Sequence, residues 1–310
     1  MKIAVVGAGA MGSIYAAKFA ASGHQVLVFD PWHDHVLAIN NKGLKVEGPD
    51  GDLKVHGIKA STDVKDCGYS DLFVIATKAS SVGAAARAIK PYVSANTIVL
   101  TIQNGLGAGE RIASHLATGT VLLGVADGFG ASMKGPGHVH HNAMKMIRLG
   151  EMTGGISDRL DKLEGIWKGA GFNARAFEDI NQLIWEKLLC NVTLSAPCSV
   201  FDCNVGELRN FSEHWSIALG CMQEAYQCGL AEGIEFSFDD PQSYVTSFAD
   251  MMPAANPSMR LDHFAKRQSE IDFINGAIPA IGRRHEIATP YNQTLSTIVR
   301  NIESQFGRAK

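Results

Sequence analysis

The chain has 310 residues, 46% apolar and 19% charged, with 28 Lys plus Arg against 31 Asp plus Glu and a formal net charge of −3. At roughly 150 residues per domain this is enough for about two domains, and the composition excludes a disordered or collagen-like chain. So even a charge balance gives no electrostatic footprint for nucleic acid or an anionic membrane, and small molecules are the expected partners. In chain order, Ile3-Ala4-Val5-Val6 is a short apolar run followed by a Gly-rich turn and a helical stretch to Ala21. Gln25–Phe29, Leu72–Ala76 and Thr97–Leu100 are further apolar or β-branched runs, each followed by helix-compatible sequence. Continuous apolar strands separated by helices predict a doubly wound parallel sheet buried on both faces. From about Asp179 the period changes, and Ile180 to Val192 reads as a helix without Gly or Pro. Apolar residues then recur every three or four positions at Trp215, Leu219, Met222, Tyr226 and Leu230, and again at Ile271, Ile274, Ile278 and Ile281. Pro279 is expected to kink that second helix near Asn275–Gly276, and Thr289-Pro290 reads as an N-cap followed by Pro in the first turn of a last helix.

Glycine marks the boundary. Of the 32 glycines, 25 lie in residues 1–171 and 7 in the rest, and helix interiors resist glycine whereas tight βα turns use it. The fold class is therefore α/β, a doubly wound parallel sheet in residues 1–178 joined to an all-helical part in residues 179–310. Cys67, Cys190, Cys198, Cys203, Cys221 and Cys228 are too sparse for a disulfide scaffold and read as buried thiols in a reducing, cytoplasmic setting. No segment approaches the ~18 consecutive apolar residues of a membrane span.

Gly7-Ala8-Gly9-Ala10-Met11-Gly12 is G-x-G-x-x-G, after a strand, opening a helix, and followed by a second strand ending in Asp30. In that context Gly7 permits the tight turn, Gly9 admits a pyrophosphate and Gly12 lets helix and strand pack closely. The phosphates would sit at the helix N-terminus, where N–H groups and the dipole favour negative charge. Asp30 can accept hydrogen bonds from the adenosine ribose and repels a 2′-phosphate, and no Arg or Lys occurs in Pro31-Trp32-His33-Asp34. NAD(H) is thus favoured, with NADP(H) as the alternative. Asp30 as a helix cap is compatible with either.

Lys187 and Asn191 are four apart and share a helix face amid Leu183, Ile184, Leu188, Leu189 and Val192. An amine against such surfaces is partly desolvated, which lowers its pKa and suits it to give up a proton. Ser258 and Glu270 follow later. His138, His140 and His141 come just after Gly135-Pro136-Gly137, and a polar hairpin is the expected reading over a metal site.

These features together resemble the ketopantoate reductase (2-dehydropantoate 2-reductase) family over nearly the whole chain. The resemblance rests on Gly7–Gly12, Thr77-Lys78, Gln103-Asn104-Gly105, Gly135-Pro136-Gly137, Trp185-Glu186-Lys187-Leu188 with Asn191, and Ser258-Met259 with Asp262. It continues through Glu270-Ile271-Asp272, Asn275-Gly276 and Thr289-Pro290-Tyr291-Asn292. It implies a Rossmann domain with a helical substrate domain, a nicotinamide cofactor and a small keto or hydroxy acid as substrate. Carried over residue by residue, it makes Lys187 the general acid on the substrate carbonyl and gives Glu270 a hydrogen bond to the substrate hydroxyl or to the network around that lysine. Asn191, Ser195 and Ser258 would bind substrate, Lys78 would lie near the nicotinamide, and Asn104 near both nicotinamide and substrate. Gly7, Ala8, Gly9, Ala10, Met11, Gly12 and Asp30 would hold the dinucleotide. Where the family has Asn-Pro-Leu-Thr this chain has Ser195-Ala196-Pro197-Cys198, which shortens a side chain expected to touch substrate and makes a related keto acid the alternative to ketopantoate. A homodimer is left open, as is membership of the β-hydroxyacid dehydrogenase or imine reductase type, which also place a lysine four before an asparagine. A non-catalytic dinucleotide-sensing module is the reading from another class.

Overall fold

The computed structural model describes residues 1–49, 51–128, 130–143 and 145–307. The chain divides into two compact units, Met1–Gln103 with Gly107–Ile180 and Asn104–Leu106 with Asn181–Lys310. In the first, the elements run β1 (Lys2–Val6), α1 (Ala10–Ala21), β2 (Gln25–Phe29), α2 (His33–Lys42), β3 (Leu44–Glu47), β4 (Leu53–Val55), β5 (Lys59–Ser61), β6 (Leu72–Ile75), α3 (Val82–Ile89) and β7 (Ile98–Thr101). They continue as α4 (Ala108–Ala113), β8 (Val121–Asp127), β9 (Gly130–Gly135), β10 (His138–Ala143), β11 (Met146–Glu151), α5 (Asp158–Gly169) and β12 (Ala174–Ala176). The main sheet has the order β12-β11-β8-β7-β6-β1-β2-β5. Every pairing in it is parallel except β11 with β8. Its central strands β1, β6 and β7 are buried almost throughout, as continuous apolar runs demand.

A second sheet of four strands, β4-β3-β10-β9, was not legible as a sheet. Its β9–β10 hairpin turns at Gly135–Gly137 as the sequence predicted, but β10 pairs in parallel with β3 nearly a hundred residues upstream. That pairing sets His138 Nε2 3.1 Å from Glu47 Oε1, a carboxylate distant in sequence. Among the described residues no group of three or more His, Cys, Asp or Glu could hold a metal ion. The helix α1 packs against strands of both sheets. It is accordingly apolar nearly all round, with Ile14, Tyr15, Ala16, Ala17 and Phe19 buried. Tyr15 and Phe19 meet Trp167 edge-on, with centroids 5.0 Å away in both pairs, and Phe172 completes the cluster at 4.7 Å from Trp167.

In the second unit the elements are α6 (Ile180–Val200), α7 (Val205–Asn210), α8 (Ser212–Ala231), α9 (Pro241–Asp250), α10 (Ser258–Phe264), α11 (Ile278–Arg284) and α12 (Pro290–Glu303). The helix expected to end at Val192 runs two turns further, through Pro197. Proline there removes one backbone N–H and normally breaks a helix. Burial of Ala196 and Cys198 on either side of it holds the helix together.

The isoleucine stripe is buried as expected, but not on one kinked helix. Ile271–Phe273 and Asn275–Ala277 are separate 3-10 turns, and the break falls at Ile274 (φ −108°, ψ −105°). Pro279 sits in the first turn of α11, where its missing N–H would have had no helical partner. Thr289 stands at the N-cap position of α12 without a side-chain cap bond. The cap comes instead from α8, where the Glu224 carboxylate accepts from Tyr291 N (2.7 Å) and Asn292 N (2.9 Å).

All six cysteines are buried and outside any disulfide, and burial pushes the Cys67 and Cys228 thiols up to about 11. No helix among the described residues is long and apolar enough to cross a membrane.

Candidate functional site

The Gly-rich turn joins β1 to α1, and its three glycines answer to different constraints. Gly7 has φ +94°, and a Cβ there would lie 2.9 Å from Thr77 N. A Cβ on Gly12 would lie 2.0 Å from the Gly7 carbonyl oxygen, so helix and turn could not approach as they do. Gly9 is different: a Cβ would meet no protein atom within 4 Å. Packing within the protein demands Gly7 and Gly12, whereas nothing in the protein's own packing requires glycine at position 9. Gly9 is also the N-cap of α1, with no side-chain cap and no acidic residue in the first turn. The first-turn N–H groups of a helix have no intrahelical acceptors, so this end of α1 has the geometry to hold an anion such as a pyrophosphate.

The Asp30 carboxylate at the end of β2 accepts from Ala8 N (2.7 Å) and from Trp32 N (2.9 Å). It thereby ties the second strand to the turn and holds the amide of Trp32, the residue that precedes α2, and each oxygen keeps a further lone pair for a ligand. Behind the turn lies a polar network that sequence reading missed. His35 is fully buried, and its Nδ1 accepts from Gly137 N (2.9 Å), so the ring proton is on Nε2. Nε2 lies 3.3 Å from Ser13 Oγ, whose hydroxyl donates to the Ala8 carbonyl (2.8 Å). Burial holds the His35 pKa below its usual value, against the opposing pull of the Asp30 charge. The hairpin turn and the Gly-rich turn are thus joined through one imidazole. Nothing in sequence signals a bond spanning 102 residues.

Gln103, at the end of β7, donates to the carbonyls of Ile75 (2.7 Å) and Thr77 (3.1 Å), fixing the turn that carries Lys78. Lys78 itself is exposed.

In the second unit, Lys187, Asn191 and Ser195 follow one another on α6 at intervals of four, hence on one face. Lys187 and Asn191 are half-buried and Ser195 is buried. The residues flanking Lys187 fix the helix: Leu188 and Leu189 enter the core, and the buried Glu186 accepts from Ser237 N (2.8 Å). Asn104, half-buried, belongs to this unit too. Leu106 N donates to the Phe273 carbonyl (2.9 Å), and a Cβ on Gly105 (φ +81°) would lie 2.1 Å from that same oxygen. Asn104 is therefore seated beside the turn that follows Glu270. That turn is in turn fastened to α6, because Asn275 Nδ2 donates to the Val192 carbonyl (2.8 Å), next to Asn191. Glu270 is half-buried, and Ser258 is exposed on α10.

Residues 3–154 match the family model for ketopantoate reductase PanE/ApbA, and residues 179–303 match the model for its C-terminal part. The chain belongs to the ketopantoate reductase family. A 2-dehydropantoate 2-reductase of Streptococcus pyogenes serotype M6 is 29% identical over 306 residues, 98% of either chain. A PanE/ApbA family ketopantoate reductase of Ralstonia eutropha JMP134 superposes with a TM-score of 0.91 at 29% identity, covering 98% of this chain and 99% of its own. D-mandelate dehydrogenase, in a ternary structure with NADH and anilino(oxo)acetate, gives a TM-score of 0.89 at 27% identity, covering 99% of both chains. As a member of that family the chain is an NAD(P)-dependent oxidoreductase of the ketopantoate reductase type, with the family's α/β and helical parts.

Proposed function

We propose that this member of the ketopantoate reductase family reversibly transfers a hydride between a nicotinamide cofactor and a 2-keto acid, either 2-dehydropantoate or a related acid. The observation that carries the reading is the cradle at Gly9, bare of protein at Cβ and opening onto an uncapped helix N-terminus beside Asp30. A bound nicotinamide dinucleotide supplies or takes up the hydride. The Gly7–Gly12 turn holds its pyrophosphate against the N-terminus of α1, and Asp30 takes the adenosine ribose, which favours NAD(H) over NADP(H). Lys78 and Asn104 serve the nicotinamide side.

For the substrate, Asn191, Ser195, Ser258 and Asn104 orient the acid by hydrogen bonds. Lys187 donates a proton to the carbonyl oxygen as it becomes an alkoxide, and its positive charge stabilises that oxygen meanwhile. Glu270 orients the substrate hydroxyl or the lysine. Ser195, in place of the family's longer asparagine, widens the choice of substrate.

A steady-state screen tests this: 2-dehydropantoate, aliphatic and aryl 2-keto acids, 3-hydroxy acids and cyclic imines, each with NADH and NADPH. Turnover of a 2-keto acid with NADH is the expected result. Turnover of 3-hydroxy acids or imines alone would move the chain to the β-hydroxyacid dehydrogenase or imine reductase type. Tight dinucleotide binding with no turnover of any acid would make it a sensing module.

A further inference from the structure

Trp32 follows Asp30 by two residues, and its backbone N–H donates to Asp30 Oδ1, the carboxylate whose other oxygen receives the Ala8 N–H. The Trp32 backbone is thus anchored just past β2, on the carboxylate that also binds the Gly-rich turn. Its ring lies flat on the His35 imidazole, with centroids 5.2 Å apart and planes inclined by 14°. His35 is a fixed backing, since Gly137 N–H and Ser13 hold both of its ring nitrogens within a fully buried site. Yet Trp32 keeps 40% of its surface exposed, unlike Trp167, Trp185 and Trp215, which are buried in their cores. A large aromatic ring held rigidly against a buried imidazole, with the rest of its surface open to solvent, loses little entropy when a second flat ring stacks on it.

We infer that Trp32 is a stacking platform for the adenine of the dinucleotide, placed by His35 and adjoining the carboxylate that takes the ribose. The inference rests on the reading that this unit binds a nicotinamide dinucleotide, and it adds the residue that reads the base. It accounts for the absence of a basic side chain after β2: the base is gripped by an aromatic face, which carries no charge for a 2′-phosphate.

The test uses ADP-ribose, which has the adenine half and lacks nicotinamide, alongside NADH, on the whole protein. Calorimetry is expected to give about tenfold weaker ADP-ribose and NADH binding for Trp32→Ala and Trp32→Leu, and near-native binding for Trp32→Phe, since stacking tolerates any aromatic ring. Tryptophan fluorescence of the native protein should also be quenched by ADP-ribose, and that quenching should vanish in Trp32→Phe. Circular dichroism of each variant guards against misfolding, and Trp32→Phe with its fluorescence readout stands even where Trp32→Ala fails to fold. Native binding of ADP-ribose by Trp32→Leu, with quenching that persists in Trp32→Phe, overturns the platform while leaving the dinucleotide reading intact. Failure of the unaltered protein to bind NADH, NADPH or ADP-ribose overturns both.

Discussion

At the scale of single residues, the three glycines of one motif separate into two kinds. Gly12→Ala drives a Cβ to 2.0 Å from a backbone oxygen, and neither backbone can yield cheaply. Its expected cost is about 3 kcal/mol or more, read as a lowered urea midpoint. Gly9→Ala meets nothing in the protein, and its φ of −60° suits alanine. Its stability should change by no more than about 0.5 kcal/mol while dinucleotide affinity falls, measured by calorimetry. A Gly9→Ala variant that binds NADH normally would remove the cradle from that position. Lys187 makes the opposite case. It is half-buried on a helix whose inner residues are fixed by packing. Lys187→Ala should leave NADH affinity in place and lower kcat by about 10²–10⁴-fold; an unchanged kcat would take the proton donor elsewhere. The sequence made both residues visible, because a G-x-G-x-x-G and a lysine amid leucines are local patterns. Trp32 was not singled out, since a tryptophan acquires a role only when its neighbours in space are known.

Between elements, the helical unit is knotted by side-chain amides that no periodicity reveals. Asn292, fully buried on α12, donates through Nδ2 to the Cys221 carbonyl (2.9 Å) and to Glu224 (2.7 Å), both on α8. Its Oδ1 accepts from Asn275 (3.0 Å), which also reaches α6 at Val192. One node therefore positions three helices and the turn after Glu270. Asn292→Ala would orphan several buried groups together and is expected to cost about 3 kcal/mol, checked by denaturant unfolding; a loss under about 1 kcal/mol would mean the node is relaxed by water. The same contacts explain where local rules misjudged the elements. Thr289 has the right chemistry for an N-cap, but the Glu224 carboxylate already satisfies the first N–H groups of α12. Pro197 should end a helix, yet burial around it outweighs one missing hydrogen bond. Propensity acts through a kcal/mol or so per residue, and packing contributes more.

For the molecule as a whole, the buried network around His35 links stability to pH. Burial, opposed in part by the Asp30 charge, keeps the folded imidazole neutral below its ordinary value of 6.5. The unfolded chain takes up a proton near 6.5 and the folded chain only at lower pH, so stability is complete above 6.5 and declines as pH falls below it. His24, whose pKa is lowered by burial and by the N-terminal amine, acts in the same direction. Unfolding free energies measured between pH 7.5 and 5 (roughly the imidazole range) should fall with acid, with a shallower slope in His35→Asn; identical slopes would release His35 from that role. The sequence by itself determined the α/β and helical halves, the Gly-rich turn and the family, because strand runs, helical stripes and glycine positions are written in near neighbours. Tertiary structure alone decided the second sheet, the reversed pairing of β11 with β8, the capping of α12 by Glu224 and the imidazole that joins two turns. Those depend on which distant segments are brought side by side, and a hydrogen bond or a parallel pairing across a hundred residues leaves no periodic trace in either partner.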